Sequence, residues 1–273
     1  MSLKILCKGS KYGTALQVAA YWGNLEVVQL LLDNGADMNV PGSEYGTALQ
    51  AAASLGNLEV VQLLLDKGAD INAQGGEYGT ALQTAASQGN LEVVQLLLDK
   101  GADVTVQGGY YGTALQAAAY RGILEVKLLL DKGADMNVPG GEYGTALQAA
   151  ASKGNLGVVQ LLLDKGADVT VQGGHFGTAL QAAAYWGNLE VVQLLLDNGA
   201  DMNVPGSEYG TALQAAASLG NLEVVQLLLD KGADVAVQGG TYGTALQAAA
   251  FRGSPSVVKL LLQSGADPNI HGM

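Results

Sequence analysis

Small apolar residues and leucines alternate in blocks along the chain, separated by glycine and polar residues. In one typical stretch, an alanine-rich run at residues 47–54 precedes a leucine-rich run at residues 58–66. Apolar residues three and four positions apart favour helices, so we predict a first helix over 47–54 and a second over 58–66. Asn57 lies at the expected N-cap of the second helix, and Gly68 is expected to end it. Ser254-Pro255 indicates the same helix start near the carboxyl end.

This pattern is repeated eight times. The motif Gly-Thr-Ala-Leu-Gln begins at Gly13, Gly46, Gly79, Gly112, Gly144, Gly177, Gly210 and Gly243. Successive copies are 33 residues apart except the fourth and fifth, which are 32 apart. Self-similarity of this kind predicts an all-α solenoid of eight helix–turn–helix units with finger-like turns.

Each predicted helix has two to three turns, which is too short to persist alone in water. The repeats must therefore stack and bury their apolar residues against one another. In one repeat we expect this buried set to be Leu49, Leu58, Val61, Leu63, Leu64 and Leu65.

The repeated sequence resembles the ankyrin repeat. The carrying motifs are Thr-x-Leu-x-x-Ala-Ala, then Gly-Asn-Leu-Glu-Val-Val-Gln-Leu-Leu-Leu-Asp-Lys-Gly-Ala-Asp. The resemblance implies one repeat domain over residues 1–273. The family's Thr-Pro-Leu-His is Thr-Ala-Leu-Gln here, so the usual threonine–histidine hydrogen bonding is not expected. A copied block of near-identical repeats, 21–70 and 185–234, also resembles the sensor arrays of NLR-like signalling proteins.

The composition narrows the function classes. The formal net charge is −12, which argues against nucleic-acid and anionic-membrane partners. The acids recur at fixed positions, as at Asp33 and Asp66, and we interpret them as a solvated face, with a basic partner as the alternative. No apolar run is long enough for a membrane span or a secretory signal. The single cysteine, Cys7, makes a reducing cytoplasmic setting the expectation.

Three positions of the repeat vary between copies. Two follow the alanine run, as in Tyr21-Trp22, and one lies in the finger before a Tyr-Gly or Phe-Gly pair, as at Lys11. The family resemblance implies that these positions line a concave surface. Trp, Tyr and Arg commonly anchor protein interfaces, so we predict a protein or peptide partner bound there. The predicted contact residues are Tyr21, Trp22, Leu55, Gln88, Tyr110, Tyr120, Arg121, Lys153, His175, Tyr185, Trp186, Leu219, Phe251 and Arg252.

Chemical sites are not expected. The two histidines, His175 and His271, lie in different repeats without a cysteine partner, so zinc-ligand spacing is absent. A catalytic relay built from repeated positions would recur eight times. We therefore predict no catalytic residues, no metal, no cofactor and no enzyme activity.

A structural role is the alternative function. The last repeat diverges as a capping repeat should, whereas the first does not. Uncapped ends would allow end-to-end self-association or a spacer role. On this alternative, residues 1–23 would fray or contact a neighbouring molecule.

The fourth repeat is one residue short. It reads Gly-Ile-Leu-Glu-Val-Lys from Gly122, where other repeats read Gly-Asn-Leu-Glu-Val-Val-Gln. Loss inside the helix would rotate the following leucines by about 100°. We therefore place the deletion in the turn. Ile123 and Val126 should then be buried, Leu124 exposed and Glu125 in a half-buried valine position, with the weakest repeat interface there.

Overall fold

The computed structural model describes residues 13–42, 44–206 and 208–271, with the side chain of Ile123 outside the description. Within these residues the chain forms sixteen α-helices in eight helix–turn–helix pairs. The packing divides into two compact units, one ending at Asp135 and the other starting at Met136. Each unit holds four repeats and is described by itself. That all eight repeats form one domain stays a prediction.

The helices of the first unit are α1 (Ala15–Tyr21), α2 (Leu25–Asp33), α3 (Ala48–Ser54), α4 (Leu58–Asp66), α5 (Ala81–Gln88), α6 (Leu91–Asp99), α7 (Ala114–Arg121) and α8 (Ile123–Asp131). Those of the second unit are α9 (Ala146–Lys153), α10 (Leu156–Asp164), α11 (Ala179–Trp186), α12 (Leu189–Asp197), α13 (Ala212–Leu219), α14 (Leu222–Asp230), α15 (Ala245–Arg252) and α16 (Pro255–Gln263). Odd-numbered helices are the first helices of their repeats, and even-numbered helices are the second.

The first helix of each repeat is the centre of the core. In α3, every residue from Ala48 to Ser54 is buried, because the alanines let neighbouring first helices approach closely. Thr47 is the N-cap, one residue before the helix, and Gln50 completes a capping box with it. The predicted helix over 47–54 is thus confirmed, with its first residue acting as the cap.

The second helix of each repeat buries a narrower stripe. In α4, Val60, Val61 and Leu64 are buried, whereas Leu58 is 36% exposed. Leu63 and Leu65 are half-buried. The predicted buried set was therefore right at Leu49, Val61 and Leu64, wrong at Leu58, Leu63 and Leu65, and it omitted Val60. The valine position predicted to be half-buried is fully buried. Leu58 lies in the first turn of α4 and stays at the surface.

The buried glutamine of the first helix links each repeat to the next within a unit. The amide oxygen of Gln83 accepts from the backbone N–H of Thr80 at 2.5 Å. Its amide nitrogen donates to the carbonyl oxygens of Val106, Gly108 and Gly112 in the following finger. Gln83 is 2% exposed, so these bonds are shielded from water. The same side chain therefore caps its own helix and fixes the next finger.

The asparagine before each second helix has a role that the sequence interpretation missed. Asn57 holds the N-cap position but makes no side-chain bond to its own helix. Its side-chain nitrogen instead donates to the carbonyl oxygens of Ala20 and Tyr21, at 2.9 and 2.7 Å. These carbonyls end the first helix of the preceding repeat, where orphan acceptors need donors. The predicted N-cap position of Asn57 is confirmed, but its side chain bonds the preceding repeat and not its own helix.

The fingers pair through backbone hydrogen bonds. In the first unit, the N–H of Glu77 donates to the carbonyl of Glu44, and the N–H of Tyr110 donates to the carbonyl of Glu77. Gly76 has a φ of +64°, and an added Cβ would lie 2.7 Å from the Glu44 oxygen. This approach requires glycine.

The short repeat confirms the deletion in the turn. Gly122 alone separates α7 from α8, whereas Gly89 and Asn90 separate α5 from α6. Leu124 is 59% exposed and Val126 is fully buried, as predicted. The prediction for the Ile123 side chain lies outside the described residues.

Two side chains take the space of the missing asparagine. The Nε of Arg121 donates to the carbonyl oxygen of Ser87, the acceptor that this asparagine would use. The carboxylate of Glu125 lies beside Gly89 and Gly122, and Glu125 is only 8% exposed. Among the described residues no buried side-chain nitrogen or oxygen is left without a partner. The repeat interface is therefore repaired by different chemistry.

The described part of the first repeat presents apolar residues to solvent. Val27 is 46% exposed, whereas its counterpart Val60 is 1% exposed. Leu30 is 63% exposed. The expectation for residues 1–23 lies in part outside the described residues, as do Cys7 and Lys11.

We expect Gln83→Leu to lower the free energy of unfolding by about 3 kcal/mol, because it leaves the buried N–H of Thr80 without its acceptor and removes the side-chain donor to the next finger. Urea unfolding measures this change. Gln95→Leu in the same repeat is the matched control. Gln95 bonds only an exposed carboxylate, Asp99, so its loss should change stability by less than about 0.5 kcal/mol. Equal effects of the two substitutions would contradict the role of the buried glutamine.

Arg121→Ala should lower the free energy of unfolding by about 1 kcal/mol, since one hydrogen bond to a helix-end carbonyl is lost. Amide hydrogen exchange should accelerate first in α7 and α8, because the short turn between them already lacks the asparagine that bonds the preceding repeat elsewhere. Leu55→Ala, at the same repeat position and 49% exposed, is the control and should leave exchange unchanged. Exchange that starts elsewhere in the first unit would show that this interface is not the weakest.

Candidate functional site

Within each unit the finger tips lie beside the carboxyl ends of the first helices. We call this surface of a unit its finger face. In the first unit, the ring centroids of Tyr21 at the end of α1 and Tyr45 in the next finger are 4.5 Å apart. In the second unit, the equivalent Tyr185 and Tyr209 are 4.4 Å apart. The copied sequence block thus gives the same geometry in both units.

The first unit carries a second aromatic group on this face. The rings of Tyr78 and Tyr111 are stacked, with centroids 6.1 Å apart. Tyr120, at the end of α7, lies 5.4 Å from Tyr111. Tyr110 meets Tyr111 edge-on at 5.1 Å. Ring pairs at these separations and angles add to the stability of apolar burial, so they hold the fingers against the helix ends.

The second unit holds the densest aromatic group. Phe176 is buried, and its ring stacks on Tyr209 at 5.7 Å. Tyr185 lies 5.2 Å from Phe176, and Trp186 meets Tyr185 edge-on at 5.2 Å. The Nε2 of His175 lies 3.0 Å from the Tyr209 hydroxyl oxygen. This group is a packed base beneath Trp186.

Three of the predicted aromatic side chains are more than half exposed. Trp22 is 58% exposed, Trp186 is 53% exposed and Phe251 is 75% exposed. The tyrosines beside them, such as Tyr21 and Tyr185, are half-buried by ring contacts. The structure therefore divides the predicted aromatic residues into an exposed set and a supporting set.

The remaining predicted contact residues differ in exposure and in hydrogen bonding. Leu55 and Tyr110 are exposed at 49% and 41%. Lys153 and Arg252 are exposed, and Leu219 is half-buried. Arg121 is exposed but hydrogen-bonded to Ser87 and, at 3.4 Å, to Gln88.

The serines at the first variable position do not belong to the exposed surface. Ser54 is 7% exposed, and its hydroxyl donates to the carbonyl oxygen of Ala51. Where this position is a serine it therefore completes the helix end, and only its aromatic versions reach the finger face.

Sequence reasoning missed the supporting rings. Tyr45, Tyr111, Phe176, Tyr209 and Tyr242 belong to the Tyr-Gly or Phe-Gly pair, which looked like scaffold alone. Tyr242 contacts Phe251 with centroids 4.9 Å apart. The available signal was that an aromatic residue recurs before the same glycine in every repeat.

Burial shifts the titration of two tyrosines on this face. Desolvation raises the pKa of Tyr111 to about 12, with smaller contributions from Tyr120 and Tyr78. Desolvation also raises the pKa of Tyr209, and its hydrogen bond with Tyr185 acts in the same direction. Both hydroxyls therefore stay protonated at neutral pH and act as hydrogen-bonding groups within the ring packing.

The recurring acids form a solvated edge, in agreement with the sequence interpretation. Asp66 lies 3.0 Å from the Lys100 ammonium of the following repeat, and both side chains are about half exposed. A hydrogen bond from Gln62, followed by that from Lys100, lowers the pKa of the Asp66 carboxyl. Asp103 instead accepts from Thr105 and closes a turn. Exposed pairs of this kind contribute little to stability.

Metal-ligand clusters and membrane-spanning helices were sought among the described residues. They contain no group of three or more His, Cys, Asp or Glu side chains placed to hold a metal ion. None of their helices combines the length and the apolar character needed to cross a bilayer. His175 lies between Tyr209 and Glu208, with its Nε2 3.7 Å from the Glu208 carboxylate.

The raised pKa of Tyr111 should make the protein less stable at alkaline pH. The unfolded hydroxyl ionises near pH 10, and the folded one near 12, so the unfolded chain loses its proton first as the pH rises. The free energy of unfolding should therefore fall between about pH 10 and pH 12. Tyr111→Phe should make this fall shallower, as measured by urea unfolding across that range. An unchanged slope would show that burial does not perturb this hydroxyl.

Comparison with known proteins agrees with the repeat geometry. A family model described as ankyrin repeats (3 copies) matches residues 16–108, 82–173, 126–206 and 180–271. A search of curated proteins found no match. The resemblance to NLR-like sensor arrays gains no support from these matches. Ankyrin repeats are generally protein-interaction scaffolds and are typically non-catalytic. The matched segments together cover most of the sequence, and the chain belongs to the ankyrin repeat family.

Proposed function

We propose that the chain is a non-catalytic scaffold that binds a protein or peptide partner through its finger face. The observation that carries this proposal is the set of exposed aromatic rings, Trp22, Trp186 and Phe251, on a base of packed rings. A large exposed ring on a rigid base loses little conformational entropy when it is covered. Such residues dominate the binding energy of protein interfaces.

The backbone beneath these rings supports the proposal. In the second unit, the finger N–H of His175 donates to the carbonyl of Glu142, and the N–H of Thr241 donates to the carbonyl of Glu208. The finger side chains therefore project from a hydrogen-bonded strip of backbone. A surface held in this way meets a partner without ordering loops first, which reduces the entropic penalty of association.

The partner class follows from charge and chemistry. The net charge of −12 disfavours phosphate-rich nucleic acid and anionic lipid surfaces, and it favours a neutral or basic protein surface. The polar residues Gln88, Lys153 and Arg252 would form the rim around the aromatic anchors. We propose a cytoplasmic setting on the basis of the single cysteine.

The test compares the finger face with a matched surface. Trp22→Ser with Trp186→Ser removes one anchor from the finger face of each unit and should weaken partner binding by at least about thirty-fold, since the loss of one anchor costs about 2 kcal/mol or more. A partner is recovered from lysate on the immobilised chain, identified and titrated by calorimetry. Thermal unfolding should be unchanged, because both rings are exposed.

Leu25→Ser with Leu58→Ser is the control, because these side chains are 37% and 36% exposed on the second helices. It should leave the affinity for that partner within twofold. Retention of full affinity by the double tryptophan variant would refute the assignment of binding to the finger face.

A further inference from the structure

The second helices of the second unit form a groove on a surface separate from the finger face. We call it the outer groove. It has a volume of about 1150 Å³ and crosses α10, α12, α14 and α16. Its apolar floor consists of Leu156, Leu189, Leu194, Leu222, Leu227 and Leu260.

These leucines are exposed or half-buried, so each keeps part of its apolar surface open to solvent. In α12, Val191, Val192 and Leu195 are buried, and α10 and α14 bury the equivalent residues. The first leucine of the helix is left at the surface. Leu156 is 43% exposed and Leu222 is 37% exposed. The groove is therefore an apolar strip in addition to the core, and apolar strips of this extent commonly mark binding surfaces.

Gly157 opens one end of the groove. The other long repeats that precede the last one carry glutamate at this position, as Glu190 and Glu223 do. An acid in the first turn stabilises a helix through its dipole, and α10 lacks this contribution. The missing side chain leaves Leu156 more exposed than Leu222. Glycine permits close approach of another backbone at this point.

Acidic side chains line the groove beside the leucines. Glu190 and Glu223 lie in the first turns of α12 and α14, and Asp197 and Asp230 end these helices. Asp197 also pairs with Lys231 at 3.4 Å, whereas all four acids remain exposed. A ligand with an apolar stripe between basic side chains therefore complements the groove in charge and polarity.

The spacing of the floor fits an α-helix. Neighbouring helices pack about 8–10 Å apart, so the troughs between second helices recur at about that distance. Seven residues of α-helix cover about 10.5 Å. A helix laid across the groove would place an apolar residue over each trough with a period of seven.

We propose that the outer groove binds a basic amphipathic α-helix of a partner protein. The leucine-like side chains of the bound helix fill the troughs between second helices, and its Lys and Arg side chains pair with Glu190, Glu223 and Asp230. A second copy of this chain is a poor occupant, because it presents the same acids and a net charge of −12. This site is additional to the finger face and does not depend on it.

The first unit contains a natural comparison. Its corresponding groove is about 640 Å³ and is lined by α2 and α4 only. In α8, exposed Leu124 and Lys127 occupy the positions that Glu59 and Gln62 hold in α4. The polar pattern along this part of the first unit is therefore different. The second unit therefore offers the longer binding surface.

The probe is a fluorescein-labelled synthetic peptide of 21 residues. It carries leucine every seventh position, alanine beside each leucine and lysine on both flanks, and its affinity for the full chain is measured by fluorescence anisotropy. We expect micromolar binding that weakens several-fold as salt is raised, because exposed charges are screened. The same peptide with glutamate for lysine should bind at least tenfold more weakly. No binding of the lysine peptide, or equal binding of both peptides, would overturn the proposal.

Leu156→Gln with Leu222→Gln should weaken peptide binding at least tenfold. Both positions are exposed, so circular dichroism should show an unchanged fold. Leu25→Gln with Leu58→Gln, at the same positions of the first unit, is the matched control and should change affinity less than twofold. Equal losses in the two double variants would refute a site specific to the second unit.

Two further measurements test whether the peptide binds elsewhere and whether a second copy of the chain occupies the outer groove. Trp186→Ser should leave peptide binding unchanged, and a large loss would move the peptide to the finger face and overturn the proposal. Sedimentation should show the same mass for the chain with and without the Leu156→Gln and Leu222→Gln substitutions. A dimer that these substitutions dissociate would assign the groove to a second copy and overturn the proposal.

Discussion

The buried glutamine amide of the first helix is the interaction on which each unit depends. Its oxygen caps its own helix, and its nitrogen satisfies carbonyls of the next finger, as at Gln50 and Gly79. Two helices of seven to nine residues cannot persist alone, so a repeat needs its neighbour for both apolar burial and polar satisfaction. A single side chain meets these two requirements at once.

The aromatic surface follows from this constraint. Because the glutamine holds the finger against the helix, the finger ring at Tyr45 or Tyr209 lies within contact distance of the helix-end ring at Tyr21 or Tyr185. The packed tyrosines then support the tryptophans that follow them. Where the helix ends in serine, as at Ser54, the hydroxyl bonds the helix and no exposed ring is present. The first variable position, just after the alanine run, thus either completes the helix end, when it is serine, or contributes a ring to the finger face, when it is aromatic.

The short repeat shows how the same interface tolerates a change in chemistry. Asn57 and its counterparts donate to the helix-end carbonyls of the preceding repeat. With that residue deleted, Arg121 supplies the donor. The other arginine, Arg252, belongs to the last repeat, where Ser254 replaces the asparagine; both residues lie beside Gly220. At Arg121 the side chain therefore supports the repeat interface.

The sequence by itself determined the repeat length, the helix boundaries and the place of the deletion. These are local properties: periodicity, glycine and the 100° turn per residue decide them, as Leu124 and Val126 show. It also identified Trp22 and Trp186 as exposed, because they follow the buried alanine run. Only the tertiary structure decided where the polar side chains point. Leu58, predicted to be buried, is 36% exposed. Asn57 and Arg121 bond carbonyls 34 to 37 residues away. Such partners come from the neighbouring repeat, and spacing within one repeat carries no information about them.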